Sequence, residues 1–265
     1  MPFSFRSFRS SSSGNCLAFW TDQSSILIDF GVRTLRDCRA LLHDHQRQHG
    51  AIDAVLISHA HGDHLSGDAV RVLGEQGIAM HTHAAAAPQL HERHGGQSPA
   101  ACRFHHFPGD RFSIGDFDIT TIALPHAPRV PNVGFVVRAG QGTLRRTAVF
   151  ATDFYDFSPL LPHLAGADFV FVEANHDLEL LRRHFNPNSK WHMNNVKTAW
   201  MLCHAAREGA FRPGTVVLGH LSKERNREAL AIGEVQRVFE RQGIPMPFDL
   251  VAAPKLEASR VFKIE

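Results

Sequence analysis

Apolar positions along the chain fall into short continuous runs that alternate with segments carrying a helical repeat. "CLAFW" and "SSILIDFG" read as strands joined by a polar turn, the second stopping at Gly31. Over 33–50 the apolar residues Leu35, Cys38, Leu41 and Leu42 recur at helical spacing and the segment closes on Gly50, which predicts an amphipathic helix. "IDAVLIS" is a continuous apolar run of the kind buried on both faces. Helices are expected around "SGDAVRVLGEQG" and "AAAAPQLHERHG", with a short strand "IAMHTH" between them and strands around "FSIGDFDITTIALPH" after them.

The same alternation returns in the second half. "NVGFVVRAG" and "RRTAVFATD" read as a hairpin, "ADFVFVEAN" and "GTVVLGH" as buried strands. "NNVKTAWMLCHAAREG" reads as a helix with Val196, Trp200 and Cys203 on its apolar face, and "SKERNREALAIGEVQRVFERQG" as a helix over 222–243, followed by a final pair of strands. Strands followed by helices occur twice, and no linker rich in Pro, Gly or Ser divides the chain. The expectation is one α/β domain over 1–265, made of two similar halves.

Composition narrows the setting. The 43% hydrophobic share of 265 residues supports a buried core, and a net charge of +2 permits an anionic substrate without demanding one. Cys16, Cys38, Cys102 and Cys203 form no CxxC pair and sit in or beside apolar segments, as reduced core thiols do. The N-terminus lacks a continuous apolar core for a signal peptide, and no run is long enough to span a bilayer, so a soluble cytoplasmic protein is expected.

Candidate chemistry begins at "SHAHGDHLSG", where a buried strand breaks into His59, His61, Asp63 and His64. The chain has 19 histidines, so clusters such as His43/His45, His81/His83, His91/His94 and His105/His106 carry little weight and are read as solvated or packed surface groups. The position of the first cluster separates it from these. Metal ions need neutral imidazole and carboxylate ligands converging from a rigid frame, and a loop leaving a buried strand supplies one. Three further metal-type residues, His126, Asp153 and His220, each end an apolar strand, where α/β folds gather ligand sites.

Together these residues resemble the metallo-β-lactamase superfamily, which implies a four-layer αββα sandwich of two mixed β-sheets flanked by helices, with a dinuclear site on one edge. The stretches "SSSSGNCLAFW", "ILIDFG", "SHAHGDHLSG", "ATDFYDFSPLL", "FVEANHDLELL", "WHMNNVKTAWML" and "VVLGHLSKERN" are similar to its YycJ/VicX-like branch, phosphodiesterases related to ribonuclease Z and ribonuclease J. The resemblance implies that His59, His61 and His126 hold one metal, that Asp63, His64 and His220 hold the other, and that Asp153 bridges them. It also implies that Asp29 props the metal loop. Ser11 replaces a glycine of the branch's turn, and "HMNN" stands where "GHVSN" is usual.

The expected activity is therefore that of a hydrolase with two divalent transition-metal ions, zinc first, with manganese or iron accepted by the same ligands. A water shared by the ions would attack a phosphodiester, Asp63 or Asp153 would orient it, and His192 would protonate the leaving oxygen. His192 precedes a helix whose N-cap is Asn194 or Asn195, where free backbone N–H groups attract phosphate. Glu173, Asn175 and His176 follow a buried strand and, with Asn195, are expected around the site. DNA or RNA is the favoured substrate, with exonuclease action among the possibilities. The alternatives are hydrolysis of a small lactone, thiolester or phosphodiester metabolite, and a non-catalytic metal-binding regulator. No β-CASP domain fits between Asp153 and His220, and Cys203 lies within a helix, away from the bridging position a typical β-lactamase gives to cysteine.

Overall fold

A computed structural model describes residues 3–94, 104–107 and 109–265. In chain order its strands are β1 Phe3–Ser11, β2 Gly14–Trp20, β3 Ser25–Ile28, β4 Ala54–Ile57, β5 Ala79–Thr82, β6 Phe104–His106, β7 Arg111–Ile114, β8 Phe117–Leu124, β9 Asn132–Ala139, β10 Arg146–Ala151, β11 Phe169–Glu173, β12 Thr215–Gly219, β13 Asp249–Ala252 and β14 Phe262–Ile264. The helices are α1 Leu35–His49, α2 Gly67–Glu75, α3 Ala87–His94, α4 Leu161–Leu164, α5 Leu178–Arg183, α6 Asn195–Arg207 and α7 Glu228–Gln242.

Two seven-stranded sheets form, in the orders β14-β1-β2-β3-β4-β5-β6 and β13-β12-β11-β10-β9-β8-β7. Each is mixed in the same way: pairing is antiparallel as far as β3 in the first sheet and β10 in the second, and parallel beyond. The two halves predicted from the repeated pattern thus correspond strand for strand, with β14 returning from the C-terminus to complete the first sheet. The last two strands do not pair with each other, because β13 extends the second sheet beside β12.

Phenylalanine fills the space between the sheets. Phe5 from the first sheet packs against Phe169 and Phe171 of the second, at ring separations of 4.8 and 5.5 Å. On the outer faces, α1 and α2 bury Cys38, Leu42, Val70 and Leu73 against the first sheet, and α6 and α7 bury Ala199, Leu202, Val235 and Phe239 against the second. These are the four αββα layers. No helix among the described residues is long and apolar enough to cross a membrane.

Two helical expectations are corrected. Trp200 is 45% exposed, and the buried face of α6 is formed by Thr198, Ala199, Met201, Leu202 and Cys203. The last long helix begins at Glu228, because residues 222–227 spend their polar groups on loop contacts: Lys255 Nζ takes the carbonyls of Ser222, Lys223 and Asn226, and Ser222 N donates to Asn175 O. Cys16, Cys38 and Cys203 are free and buried, and Cys102 lies outside the described residues.

Candidate metal centre

The strand ends place the chemistry on one edge of the sandwich. Asp29 follows β3, the Ser58–His64 loop leaves β4, His126 follows β8, Asp153 follows β10, Glu173 ends β11 and His220 follows β12. Four overlapping groups result: His59/His61/His126, His59/His64/Asp153, Asp63/His64/His220 and Asp153/Glu173/His192/His220, the ligand-type atoms of each lying within 4.8 Å of one another. All seven residues expected as metal ligands are in them, and so are Glu173 and His192. None of the other paired histidines belongs to such a group among the described residues.

Hydrogen bonds orient the imidazoles. His64 Nδ1 donates to Asp29 Oδ2 at 2.7 Å, His220 Nδ1 to Glu173 Oε1 at 2.7 Å, and His126 Nδ1 to the Trp191 carbonyl at 3.1 Å. Each bond fixes Nδ1 as the donor and turns Nε2 inward. His64 Nε2 lies 3.0 Å from Asp153 Oδ2, His220 Nε2 3.5 Å from Asp63 Oδ2, and His126 Nε2 3.8 Å from Asp153 Oδ1. Fixing the ring through its outer nitrogen is how proteins orient histidine toward a metal.

Two kinds of imidazole result. Burial drives His59 well below the ordinary histidine range and, aided by His126, takes His61 to about 4; burial also lowers His126. These three are neutral donors. Burial acts in the same direction on His64 and His220, but carboxylates outweigh it: Asp153, Asp29 and Asp63 hold His64 well above its usual value, and Asp153, Asp63 and Glu173 raise His220 to about 10. The carboxylate half of the cluster thus demands buried positive charge. Asp153 Oδ2 and His220 Nε2 are also buried without a well-formed hydrogen bond, despite the 3.0 Å approach of His64 Nε2 to the former. Neutral imidazoles, carboxylates short of positive charge and unsatisfied inward atoms fit divalent cations held by nitrogen and oxygen.

The backbone is specialised at the same points. Asp29 (φ 59°), Asp153 (φ 59°) and His220 (φ 51°) occupy the left-handed region that non-glycine residues seldom adopt. Asp29 and Asp153 sit at matching places, just beyond β3 and β10, where antiparallel pairing gives way to parallel in each sheet. One acts from behind the metal loop, accepting from Ser58 N and Ser58 Oγ at 2.8 Å as well as from His64. The other stands among the inward-facing imidazoles.

Around the remaining expected residues the structure is informative in both directions. Glu173 accepts from His192 Nδ1 at 2.8 Å, from His220, and from Met193 N, and Asn175 Nδ2 donates to the His220 carbonyl at 3.1 Å. The His176 side chain meets Asn175 rather than the cluster, and the Asn195 amide is taken up by Asn226. Asn194 is the N-cap of α6, and the expected free amides there are largely spoken for: Met193 N goes to Glu173, Asn195 N to the His176 carbonyl and Lys197 N to Asn194 Oδ1. That helix end is not an open phosphate cradle.

Sequence reasoning missed Asn15, Gly31, Ser10 and Trp191. Asn15 N and Nδ2 both donate to the Asp63 carbonyl, at 2.8 and 3.1 Å. A Cβ on Gly31 would stand 1.8 Å from that same oxygen. Ser10 Oγ accepts from His220 N at 2.7 Å. Asn15 lies in the short "SSGN" turn, which is too common to weigh by itself, and Gly31 and Trp191 lie in quoted stretches that gave them no role.

Comparison with known proteins identifies the family and the fold. The family model described as "Beta-lactamase superfamily domain" matches residues 24–221. Exodeoxyribonuclease WalJ of Streptococcus pneumoniae is 26% identical over 243 residues, 86% of this chain and 85% of that protein. Exodeoxyribonuclease YycJ of Bacillus anthracis is 24% identical over 251 residues, 92% of this chain and 91% of that protein. Among solved structures, the metallo-beta-lactamase fold protein YhfI from Bacillus subtilis superposes with a TM-score of 0.70 at 20% identity, covering 99% of this chain and 100% of its own. Human tRNase Z, short form, superposes with a TM-score of 0.59 at 17% identity, covering 98% and 99%. With the family match running from the turn before β3 to the residue after His220, the chain belongs to the beta-lactamase superfamily.

Proposed function

We propose that this protein is a metal-dependent phosphodiesterase that cleaves nucleic acid, acting as an exonuclease within one hydrolase domain. In this reading His59, His61 and His126 hold one divalent transition-metal ion, Asp63, His64 and His220 hold the second, and Asp153 serves both. When bound, such a pair supplies Lewis-acid activation of water and neutralises phosphate charge. Zinc is the first candidate.

The observation that carries the reading is His192 on Glu173, 2.8 Å apart, with His192 Nδ1 also 3.5 Å from Asp153 Oδ1. Burial opposes the charged ring, but Glu173 and Asp153 prevail and raise the His192 pKa. A histidine anchored through Nδ1 and kept protonated is suited to give the Nε2 proton to a departing alkoxide, and a phosphodiester needs that donor. The Asp63 and Asp153 carboxylates orient the attacking water. The products are a phosphomonoester and a free hydroxyl.

A polymer substrate is favoured by the surface beside the metal loop. Arg33, Arg71 and Arg93 line a cavity of about 910 Å³ that reaches Gly62 and is partly balanced by Asp68 and Glu75. Guanidinium groups there would hold phosphates flanking the scissile one. The two curated relatives named as exodeoxyribonucleases make DNA the first polymer to try.

The test is metal analysis of purified protein together with hydrolysis of bis(p-nitrophenyl) phosphate and of DNA and RNA oligonucleotides with defined ends. Bound transition metal and cleavage from an end are expected. Metal-loaded protein that hydrolyses only a lactone or thiolester would overturn the proposal.

A further inference from the structure

We infer that Trp191 and Tyr155 form a stacking platform for the nucleobase beside the scissile phosphate, with Lys190 and Lys197 as contacts for the adjoining backbone phosphates. The inference rests on the nuclease reading and adds residues that recognise the substrate.

Both aromatic residues are tied to the candidate centre through their backbones. The Trp191 carbonyl accepts from His126 Nδ1 at 3.1 Å, and Trp191 immediately precedes His192. Tyr155 lies two residues after Asp153, and its N–H donates to the Pro125 carbonyl at 3.2 Å, next to His126. The backbones of both residues therefore adjoin His126 and its neighbour Pro125, on loops that also carry Asp153 and His192. A base standing on them would bring its own phosphate to the cluster.

Their exposure sets them apart from core aromatics. Phe154, one residue before Tyr155, is fully buried, whereas Tyr155 and Trp191 are each only partly covered. The ring centroids are 5.6 Å apart and the planes tilted by 58°, so the two rings meet at an angle rather than stacking face to face. Lys190 Nζ sits 4.7 Å from the Trp191 centroid, a cation over the face of the ring. Lys197 Nζ is held on the Tyr155 carbonyl at 3.1 Å. Among the described residues neither ammonium is ion-paired, and Asp156, which follows Tyr155, gives Oδ1 to Ser158 N and Oγ. Partly exposed aromatic rings with unpaired cations beside them match the way single-stranded nucleic acid is held, by base stacking and phosphate contact.

The experiment compares oligonucleotides whose nucleotide next to the cleaved linkage is intact or abasic, together with fluorescence anisotropy of a labelled oligothymidylate made non-cleavable by phosphorothioate linkages. Wild-type protein should show a KM about tenfold lower for the intact end. Trp191→Ala should bring that ratio close to unity and weaken oligothymidylate binding, with unchanged metal content and kcat within about threefold. Trp191→Phe should keep most of the discrimination. Padding of His126 by the indole predicts a different result: activity falls equally on both substrates, the ratio is unchanged, and the inference is overturned. If Trp191→Ala does not fold, Tyr155→Leu decides by the same ratio. Wild-type protein that cleaves no polynucleotide defeats the nuclease reading and this inference together; cleavage with an unaltered ratio in both variants defeats the inference alone.

Discussion

Asp29 reaches the metal loop from behind: its Oδ2 accepts from His64 Nδ1 at 2.7 Å, and both side chains are wholly buried. Because Asp29 has φ 59°, where asparagine is tolerated, Asp29→Asn removes the charge with little backbone strain. Ser58 N can still donate to the amide oxygen, but the bonds from His64 Nδ1 and Ser58 Oγ to Oδ2 are compromised. Breaking one side of a buried pair costs about 3–5 kcal/mol, and loss of such a support lowers metal affinity roughly 10–100-fold. Urea denaturation and competitive metal titration measure the two effects. An affinity within about threefold of wild type would show that Asp29 does not tune the centre.

Gly31 is expected to be intolerant of any side chain for a reason unrelated to flexibility. Its added Cβ would lie 1.8 Å from the carbonyl oxygen and 2.2 Å from the carbonyl carbon of Asp63, which are backbone atoms that no rotamer change can move away. Gly31→Ala should cost at least about 1–3 kcal/mol and displace Asp63, with metal lost first from the Asp63/His64/His220 group. Gly233 in α7, which has nothing within 4 Å of an added Cβ, provides the control. Gly233→Ala should raise stability by about 0.5–1 kcal/mol. Equal behaviour of the two variants would sink the argument.

The parts of this site that sequence exposes are those with chemical side chains at strand ends. The exit of "DAVLIS" into His59, His61, Asp63 and His64, and the later His126, Asp153 and His220, could be found because a buried strand is an apolar run and its end is abrupt. The α/β class followed from the same alternation, and the αββα layers from the family resemblance. Contacts made by backbone were hidden: Gly31 against the Asp63 carbonyl, Asn15 bonded to it, and the Trp191 carbonyl on His126 depend on which strands become neighbours. Two helix readings failed, one on a face and one at a boundary. Trp200 has an apolar side chain yet is 45% exposed, and residues 222–227 look helical by composition but the carbonyls of Ser222, Lys223 and Asn226 go to Lys255.

Away from the centre, His45 should make stability depend on pH. It is buried against Trp20 and Phe8, with Nε2 2.7 Å from Ser25 Oγ. Burial, with help from His49 and Arg6, lowers its pKa from 6.5 to about 4. Between those values the unfolded chain binds a proton that the folded protein refuses. The contribution is complete above about pH 6.5 and is lost as pH falls toward 4, a change of up to about 3 kcal/mol. His45→Gln keeps a polar partner for Ser25 and removes the titration. The difference in denaturation free energy between wild type and variant, at equal metal loading, should shrink or change sign from pH 7 to pH 5. A difference independent of pH would mean that His45 stays neutral in both states or charges in both.

His192 offers the sharpest test of the proposed chemistry, because proton donation to a leaving group depends on what leaves. Glu173 fixes Nδ1 at 2.8 Å and favours the protonated ring. His192→Ala should retain its metal while kcat on an oligonucleotide falls by about 10²–10⁴-fold, the usual worth of a positioned acid. Nitrophenolate departs without a proton, so bis(p-nitrophenyl) phosphate should suffer far less. In wild type the acid form is lost as pH rises through the raised His192 pKa, giving a basic limb above the ordinary histidine value that His192→Gln abolishes. Since His192 also falls within ligand distance of Asp153, Glu173 and His220, metal content must be read alongside the rates. Equal losses on both substrates accompanied by loss of metal would make His192 a ligand and leave the leaving oxygen to another donor.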